Sequence, residues 1–184
     1  MQRLSSLLAL VAVFACAGCF LRHDTVRVVE PGVPNSVGEG AARIHPGQPV
    51  SIGSMDVCLD RPGTASIDRV TMVGPVGGGI AVDDWTLVKH PEQETDMFIG
   101  TDRRSLRSYH RPLTHTVDVV CDPSGRFDEL VVQVHRTDGQ NAGFHAFRID
   151  WSSTDDHGTI LVPLAIELCN GDAGAAPCSR LGVF

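Results

Sequence analysis

Eight histidines give this sequence its clearest potential for metal chemistry. A zinc or copper site needs three or four ligands that converge on one point at about 2 Å. His135 and His145 fall in two successive predicted strands, where they could face each other across a hairpin. The sequence contains no HxH or HExxH spacing, so we expect surface and loop histidines, with His145 partly buried beside Phe147. A metal site is the alternative, and its candidate ligands are His110, His115, His135, His145 and His157.

Hydrolysis, calcium binding and nucleotide binding have only partial motifs. The letters IGSMD (52–56) resemble the GxSxG nucleophile elbow, but the glycine after the serine is missing. The aspartate pairs at 83–84 and 155–156 offer oxygen ligands for calcium, but neither lies in a DxDxDG loop, so turns or exposed charges are predicted. The stretch VGPVGGG (73–79) lacks the strand–GxGxxG–helix context and is predicted to be a loop. We expect no cofactor.

One local cluster of arginines lies in the segment DRRSLRSYHR (102–111). Guanidinium groups bind phosphates and carboxylates through two parallel hydrogen bonds. The segment is therefore a candidate loop for an anionic partner, such as phospholipid headgroups or a wall polymer. The alternative is that these arginines pair with acidic residues of the same chain or are solvated. The arginines concerned are Arg103, Arg104, Arg107 and Arg111.

The overall charge excludes one class of partner. The formal net charge is −7, with 22 acidic against 15 basic residues. Binding to nucleic acid needs a basic surface that neutralises phosphates. We therefore expect no nucleic-acid partner.

The elements that must position these residues are predicted to be strands from Val50 onward. Valine, isoleucine and threonine are enriched, and apolar and polar residues alternate with period two. In FDELVVQVHR (127–136), for example, Leu130, Val132 and Val134 share one face. The other predicted strands are VSIGSMDVCLD (50–60), ASIDRVTMV (65–73), GIAVDDWTLV (79–88) with a bulge at 83–84, DMFIG (96–100), THTVDVVCD (114–122), GFHAFRIDW (143–151) and GTILVPLAIELC (158–169).

Seven to nine such strands, separated by turn residues, predict an all-β fold. We expect an antiparallel, immunoglobulin-like β-sandwich, and a small barrel is the alternative. Trp85 and Trp151 end apolar strands, so packing in the core is favoured over stacking on sugar rings. The residues Ile160, Val162, Leu164, Ile166 and Leu168 form a further apolar row.

Four cysteines beyond residue 50 predict two disulfides, for which three pairings are possible. We expect Cys58–Cys121 and Cys169–Cys178, because the second pair closes a short loop rich in glycine and alanine. Cys58 alternates with aspartates rather than with apolar residues, which places it at a strand edge instead of in an inter-sheet clamp.

The N-terminal segment has the pattern of an export signal. Arg3 precedes an uncharged run from Leu4 to Gly18, which is too short to span a bilayer. The run ends in ACAGC (15–19), which resembles the lipobox of bacterial lipoproteins, although the family usually has an aliphatic residue where Cys16 stands. Cys19 fits better than Cys16 as the modified cysteine, because bulky Phe14 would occupy a position that prefers a small residue. Ordinary secretion or an uncleaved N-terminal anchor is the alternative.

This resemblance implies cleavage after residue 18, lipid chains on Cys19 and a protein tethered to the cell membrane on its extracytoplasmic side. We expect a signal peptide at 1–18, a lipidated, flexible tether rich in proline and glycine at 19–47, and a sandwich domain at 48–184. The segments VCLDRPG, VVCD and VPLAIELC also resemble β-sandwich lipoproteins of actinobacteria, a group from which no activity can be transferred.

The sequence therefore predicts a non-enzymatic, membrane-tethered binding or structural module. Its expected partner, beyond the membrane, is an envelope protein or a wall polymer. The alternative is an extracytoplasmic lipoprotein that binds a metal or hydrolyses a substrate through its surface histidines.

Overall fold

The computed structural model describes residues 25–29, 38–89, 101–108, 113–121 and 126–171. These ranges contain thirteen strands and a short 3-10 helix at Leu106–Ser108. The predicted all-β fold with antiparallel sheets is confirmed, and one pair of strands departs from it, since β13 (Ala165–Leu168) pairs parallel with β2 (Gly38–Ala41). The strands are β1 (Val26–Val29), β2 (Gly38–Ala41), β3 (Val50–Leu59), β4 (Ala65–Val73), β5 (Val76–Gly77), β6 (Ile80–Lys89), β7 (Thr101–Asp102), β8 (Thr116–Val117), β9 (Asp128–Arg136), β10 (Ala142–Phe144), β11 (Ala146–Ser153), β12 (His157–Val162) and β13 (Ala165–Leu168).

The first sheet has the order β1-β3-β9-β6, and β7 pairs with the early part of β3. All of its pairings are antiparallel. The predicted face of β9 is confirmed, since Leu130, Val132 and Val134 are all buried in the core. The predicted bulge in β6 is also present, because the register with β9 shifts between Val82 and Asp84. One extra residue in a strand, here Asp83, turns its side chain away from the regular alternation.

The other layer consists of two sheets with matching strand orders. The second sheet is β2-β13-β10-β5 and the third is β12-β11-β4-β8. Three neighbouring strands pass from one sheet to the other and are interrupted at the same level, at Gly74, His145 and Pro163. Gly74 has a φ of +66°, and proline has no N–H for the ladder, so both residues favour a break here. These breaks account for three of the strands beyond the seven to nine that were predicted, and β1 and β2, which lie in the predicted tether, account for two more.

One apolar core lies between the first sheet and the bent layer. Core residues come from all three sheets, including Val57, Ile149 and Ile166. Phe144 and Phe147 pack edge to face across the bend, with ring centroids 4.7 Å apart. Trp151 is buried, and Trp85 packs partly buried against the core, as predicted. The predicted apolar row from Ile160 to Leu168 also faces this core.

The fold begins earlier than the predicted domain boundary at residue 48. Val26 in β1, Ala41 in β2 and the fully buried Ile44 all belong to the core. β1 pairs antiparallel with the end of β3, and β2 pairs parallel with β13. Within the predicted tether, residues 26–29 and 38–41 are therefore edge strands.

The segment THTVDVVCD forms much less strand than predicted. Only Thr116–Val117 pair with β4, and the chain then crosses to the end of β3. There the Leu59 amide donates to the Val119 carbonyl at 2.8 Å, and the Cys121 amide donates to the Leu59 carbonyl at 2.7 Å. This segment therefore crosses from the third sheet to the first sheet instead of forming one long strand. The predicted strand at 96–100 lies outside the described residues.

Candidate functional site

A carboxylate–imidazole pair lies at the edge of the first sheet. The bulge in β6 brings Asp83 next to His135 of β9, with 2.6 Å between Asp83 Oδ1 and His135 Nδ1. Both side chains are about one quarter exposed, at 29% and 26%. A carboxylate at Nδ1 fixes the ring orientation and favours the tautomer with the proton on that nitrogen. His135 Nε2 could then act as a base or as a single ligand.

The same carboxylate also belongs to a structural hydrogen-bond chain. The Gln133 side-chain amide donates to Asp83 Oδ2 at 3.1 Å, and its carbonyl accepts from the Leu106 amide at 2.9 Å. Ser51 Oγ donates to the Arg104 carbonyl at 2.8 Å. These bonds hold segment 101–108 on the outer face of the first sheet, where the Leu106 side chain is buried. We call Asp83, Gln133, His135 and Leu106 the sheet clasp.

The sheet clasp lacks the remaining parts of a hydrolytic site. A catalytic triad needs a nucleophile within hydrogen-bond reach of the histidine. Across the described ranges, His135 is hydrogen-bonded to Asp83 and to no serine. Asp83 and Gln133 instead fasten segment 101–108 to the outer face of the first sheet.

Two other histidines among the described residues, His115 and His145, lie apart from His135. His115 stacks on Trp85 with ring centroids 5.3 Å apart, and its Nε2 lies 2.9 Å from the Trp85 carbonyl oxygen. The expectation of a partly buried His145 is wrong, because this residue is exposed in the bend between β10 and β11. His145 also belongs to the bent layer rather than to a hairpin with β9, so it does not face His135.

No metal centre forms among the residues that the structure describes, since no three histidine, cysteine, aspartate or glutamate side chains gather there. His157 is exposed at the start of β12. His110 lies outside the described residues.

The structure also contains no helix in the described part of the chain that is long and apolar enough to cross a membrane.

The arginine cluster is partly occupied by contacts within the chain. Arg103 Nη2 donates to the Ala42 carbonyl at 2.6 Å. Arg104 forms an ion pair with Asp102, with its Nε 2.6 Å from the carboxylate. Arg107 is exposed to solvent, and Arg111 lies outside the described residues. Arg104 therefore follows the alternative prediction for this cluster, in which an arginine pairs with an acidic residue of the same chain.

The predicted disulfide between Cys58 and Cys121 is confirmed, with 5.1 Å between the two Cα atoms. Cys58 is buried on the outer face of β3, between the core residues Val57 and Leu59. The bond therefore attaches the crossing segment at 119–121 to the end of β3 and is no inter-sheet clamp, as its alternation indicated. Cys169 is also disulfide-bonded. Its predicted partner Cys178, like Cys19 and Cys16, lies outside the described residues.

An ion-pair cluster around Lys89 was not found from the sequence. Lys89 Nζ lies 2.5 Å from Asp118 and 2.6 Å from the buried Asp128, and it donates to the Thr116 carbonyl. Burial alone lowers the pKa of Lys89, but hydrogen bonds and charges from the two aspartates outweigh burial, so its pKa is raised. Lys89 is the sole lysine of the chain, which was the one signal available.

The outer face of the third sheet carries a second, exposed polar network. Asp150 of β11 accepts hydrogen bonds from Thr159 at 2.7 Å and from Arg148 at 3.0 Å. These bonds lower the pKa of Asp150. Leu161 lies beside this network and is 61% exposed. The face therefore exposes polar and apolar side chains next to each other.

Comparison with known proteins adds no assignment to these clusters. No model of a known protein family matches the chain, and a search of curated proteins also finds no match.

Proposed function

We propose that the protein is a lipoprotein of the cell envelope, anchored through Cys19 and facing the extracytoplasmic side. Its β-sandwich is a non-enzymatic binding or structural module. The observation that carries this proposal is the disulfide between Cys58 and Cys121. Disulfides persist in oxidising compartments and are rare in the cytoplasm, so the bond supports export independently of the N-terminal sequence. The lipobox-like ACAGC then supports lipid attachment as the form of export.

The non-enzymatic role is supported by how the polar side chains are used. Asp83 and Gln133 fasten segment 101–108, and Lys89 joins β6 to the crossing segment and to β9. A catalytic group needs an atom that is aimed at a substrate and remains available to it. Asp83, Gln133 and Lys89 instead make contacts that stabilise the fold. An envelope protein or wall polymer remains the proposed partner.

The anchor can be tested with two matched cysteine variants in a bacterial host that processes lipoproteins. We expect Cys19→Ser to lose the acyl chains in intact mass spectrometry and to leave the membrane fraction. Cys16→Ser is the control and keeps both, because it removes a thiol from the part of the signal that is cleaved. If Cys16→Ser releases the protein and Cys19→Ser does not, the modified position is wrong. If neither variant changes the mass or the fraction, the lipoprotein proposal fails.

The metal-binding alternative has its own test. Metal analysis of the purified, processed protein is compared with that of a His135→Ala variant. The proposal expects no stoichiometric metal in either protein. Stoichiometric metal that is lost in the variant would instead favour the metal-binding alternative.

A further inference from the structure

We propose that one end of the sandwich is held against the membrane surface, so that the opposite end faces outward. We call the first the proximal end, which comprises Thr25, the β3–β4 loop at 60–64 and the β11–β12 turn at 154–156. The second is the distal end, which comprises residues 42–49, 78–79 and 137–141. This inference rests on the proposed lipidation of Cys19 and adds an orientation to it.

The orientation follows from the short length of chain between Cys19 and the start of the fold at Thr25. Six residue steps separate Cys19 from Thr25, and β1 begins at the next residue, Val26. Fully extended, six steps span at most about 20 Å. A tether of 28 residues that ended at residue 47, as predicted from the sequence, would instead have a root-mean-square reach of about 30 Å and a far longer maximum. The early start of the fold turns a loose tether into a short one.

The position of Thr25 fixes which end is attached. Its amide donates to Asp60 Oδ1 at 3.0 Å, and the Asp60 amide donates back to the Thr25 carbonyl at 3.1 Å. Val26 pairs with Leu59, the last residue of β3. The chain therefore enters the fold beside the 60–64 loop. Ala65, which follows that loop, pairs with Ser153, so the 154–156 turn lies at the same end.

The distal end is assembled from three other connections. The Gly47 amide donates to the Arg136 carbonyl at 2.8 Å. The Gly78 amide donates to the Asn141 carbonyl, and the Thr137 amide donates to the Gly79 carbonyl. The ten residues of β3 run between the two ends. At about 3.3 Å per residue, this places the ends about 30 Å apart.

These two lengths exclude an inverted orientation. If the distal end rested on the bilayer, Thr25 would lie about 30 Å above it, beyond the reach of about 20 Å from Cys19. The proximal end has charges of both signs, such as Arg61 and Asp60, together with the acidic pair at 155–156. The short connection, rather than electrostatic attraction, therefore sets the orientation. A partner in the envelope would then meet the distal end first.

Energy transfer to the membrane tests the orientation in the full, acylated protein. A fluorescent non-natural amino acid replaces either the exposed Thr64 or Gly139, where a Cβ atom would meet nothing within 4 Å. The processed protein is placed in phospholipid vesicles that contain an acceptor-labelled lipid. Because the ends differ by about 30 Å in height, we expect transfer from position 64 to exceed transfer from position 139 by at least about twofold.

A variant with a longer connection is the matched control. An insertion of twenty glycine and serine residues after His23 should bring the two transfer efficiencies together, because a flexible chain of that length no longer restricts the domain. Equal transfer from both positions without the insertion, or greater transfer from position 139, would overturn the orientation. Intact mass is measured on each sample. Acylated protein with equal transfer refutes the orientation alone, whereas protein without acyl chains refutes the proposed function and this inference together.

Discussion

Asp83 and His135 form the kind of contact that appears in catalytic triads, and their surroundings decide how it should be interpreted. Both oxygens of the Asp83 carboxylate are engaged, one by His135 and one by Gln133. Gln133 passes the connection on to the backbone of Leu106. In a catalytic triad the histidine is hydrogen-bonded to a nucleophile as well as to the carboxylate. In a structural pair the hydrogen bonds lead only to other parts of the fold. Here the chain of bonds ends at the backbone of Leu106.

Lys89 is the residue for which a single substitution has the clearest expected effect. Replacing it in Lys89→Met removes the cation from the buried Asp128, whose side chain is 4% exposed. The hydrogen bond from Lys89 to this carboxylate is charge-assisted and contributes roughly 1.5–3 kcal/mol, so the free energy of unfolding should fall by about that amount. Lys89→Arg is the control and should retain most of the stability because it keeps the charge. Urea unfolding at neutral pH measures the difference.

The same pair predicts a direction for the pH dependence. The pKa of Lys89 is raised in the folded protein. Its contribution is therefore fully present below the pKa of lysine in the unfolded chain and is lost as the pH rises through the higher folded value. The difference in stability between wild type and Lys89→Met should shrink on the alkaline side of that range. A difference that grows with alkaline pH would contradict this explanation.

Among the elements, the corner at the distal end depends on close approach of two loops. A Cβ atom at Gly78 would lie 2.7 Å from Gln140 Cβ and 2.5 Å from Asp138 Oδ1. Gly78→Ala should therefore push the β9–β10 connection outward and lower the free energy of unfolding by about 1–3 kcal/mol. Gly139→Ala lies in that same connection and meets nothing within 4 Å, so its stability should stay within about 0.5 kcal/mol of wild type. Thermal unfolding of both variants tests the contact, and equal stabilities would refute it.

Elements with strong local alternation could be predicted, and those defined by distant partners could not. β9 and the bulge in β6 followed from the pattern of their own residues. The strand GEGA of β2 has no such pattern in its own residues. It is a strand because it pairs parallel with β13, which lies far along the chain. In 114–122 the opposite error arose, since alternation does not reveal that the chain changes sheets after Val117.

The same distinction separates the predicted contacts from the missed ones. Counting the cysteines made Cys58–Cys121 one of three pairings, and the short loop after Cys169 favoured it. The contact between Asp83 and His135 joins residues 52 positions apart. It depends on the register of β6 against β9 and on a bulge of one residue. A pairing of the predicted β6 with β9 would have been the signal that could find it.

For the whole molecule, the early start of the fold makes part of the predicted N-terminal tether an ordered part of the sheets. Edge strands β1 and β2 complete the first and second sheets, so much of the predicted tether is part of the sandwich. Backbone pairing gives these residues hydrogen-bond partners that a free tether would find only in water. The cost of ordering them is offset by burial of residues such as Val26 and Ile44. In the proposed orientation, the ordered strands β1 and β2 keep the connection to Cys19 short and leave the distal end facing outward.

The disulfide between Cys58 and Cys121 provides the last prediction, which concerns the stability of the whole domain. It joins residues separated by 63 positions and connects the end of β3 to the crossing segment. Closing a loop of that length in the unfolded chain contributes about 4 kcal/mol in the chain-entropy treatment. The double variant Cys58→Ala/Cys121→Ala should lose about this much free energy of unfolding in urea. Adding reductant to the variant isolates the separate contribution of the bond at Cys169. A loss below about 1 kcal/mol would mean that the crossing segment is held mainly by its hydrogen bonds to Leu59, each worth about 1 kcal/mol.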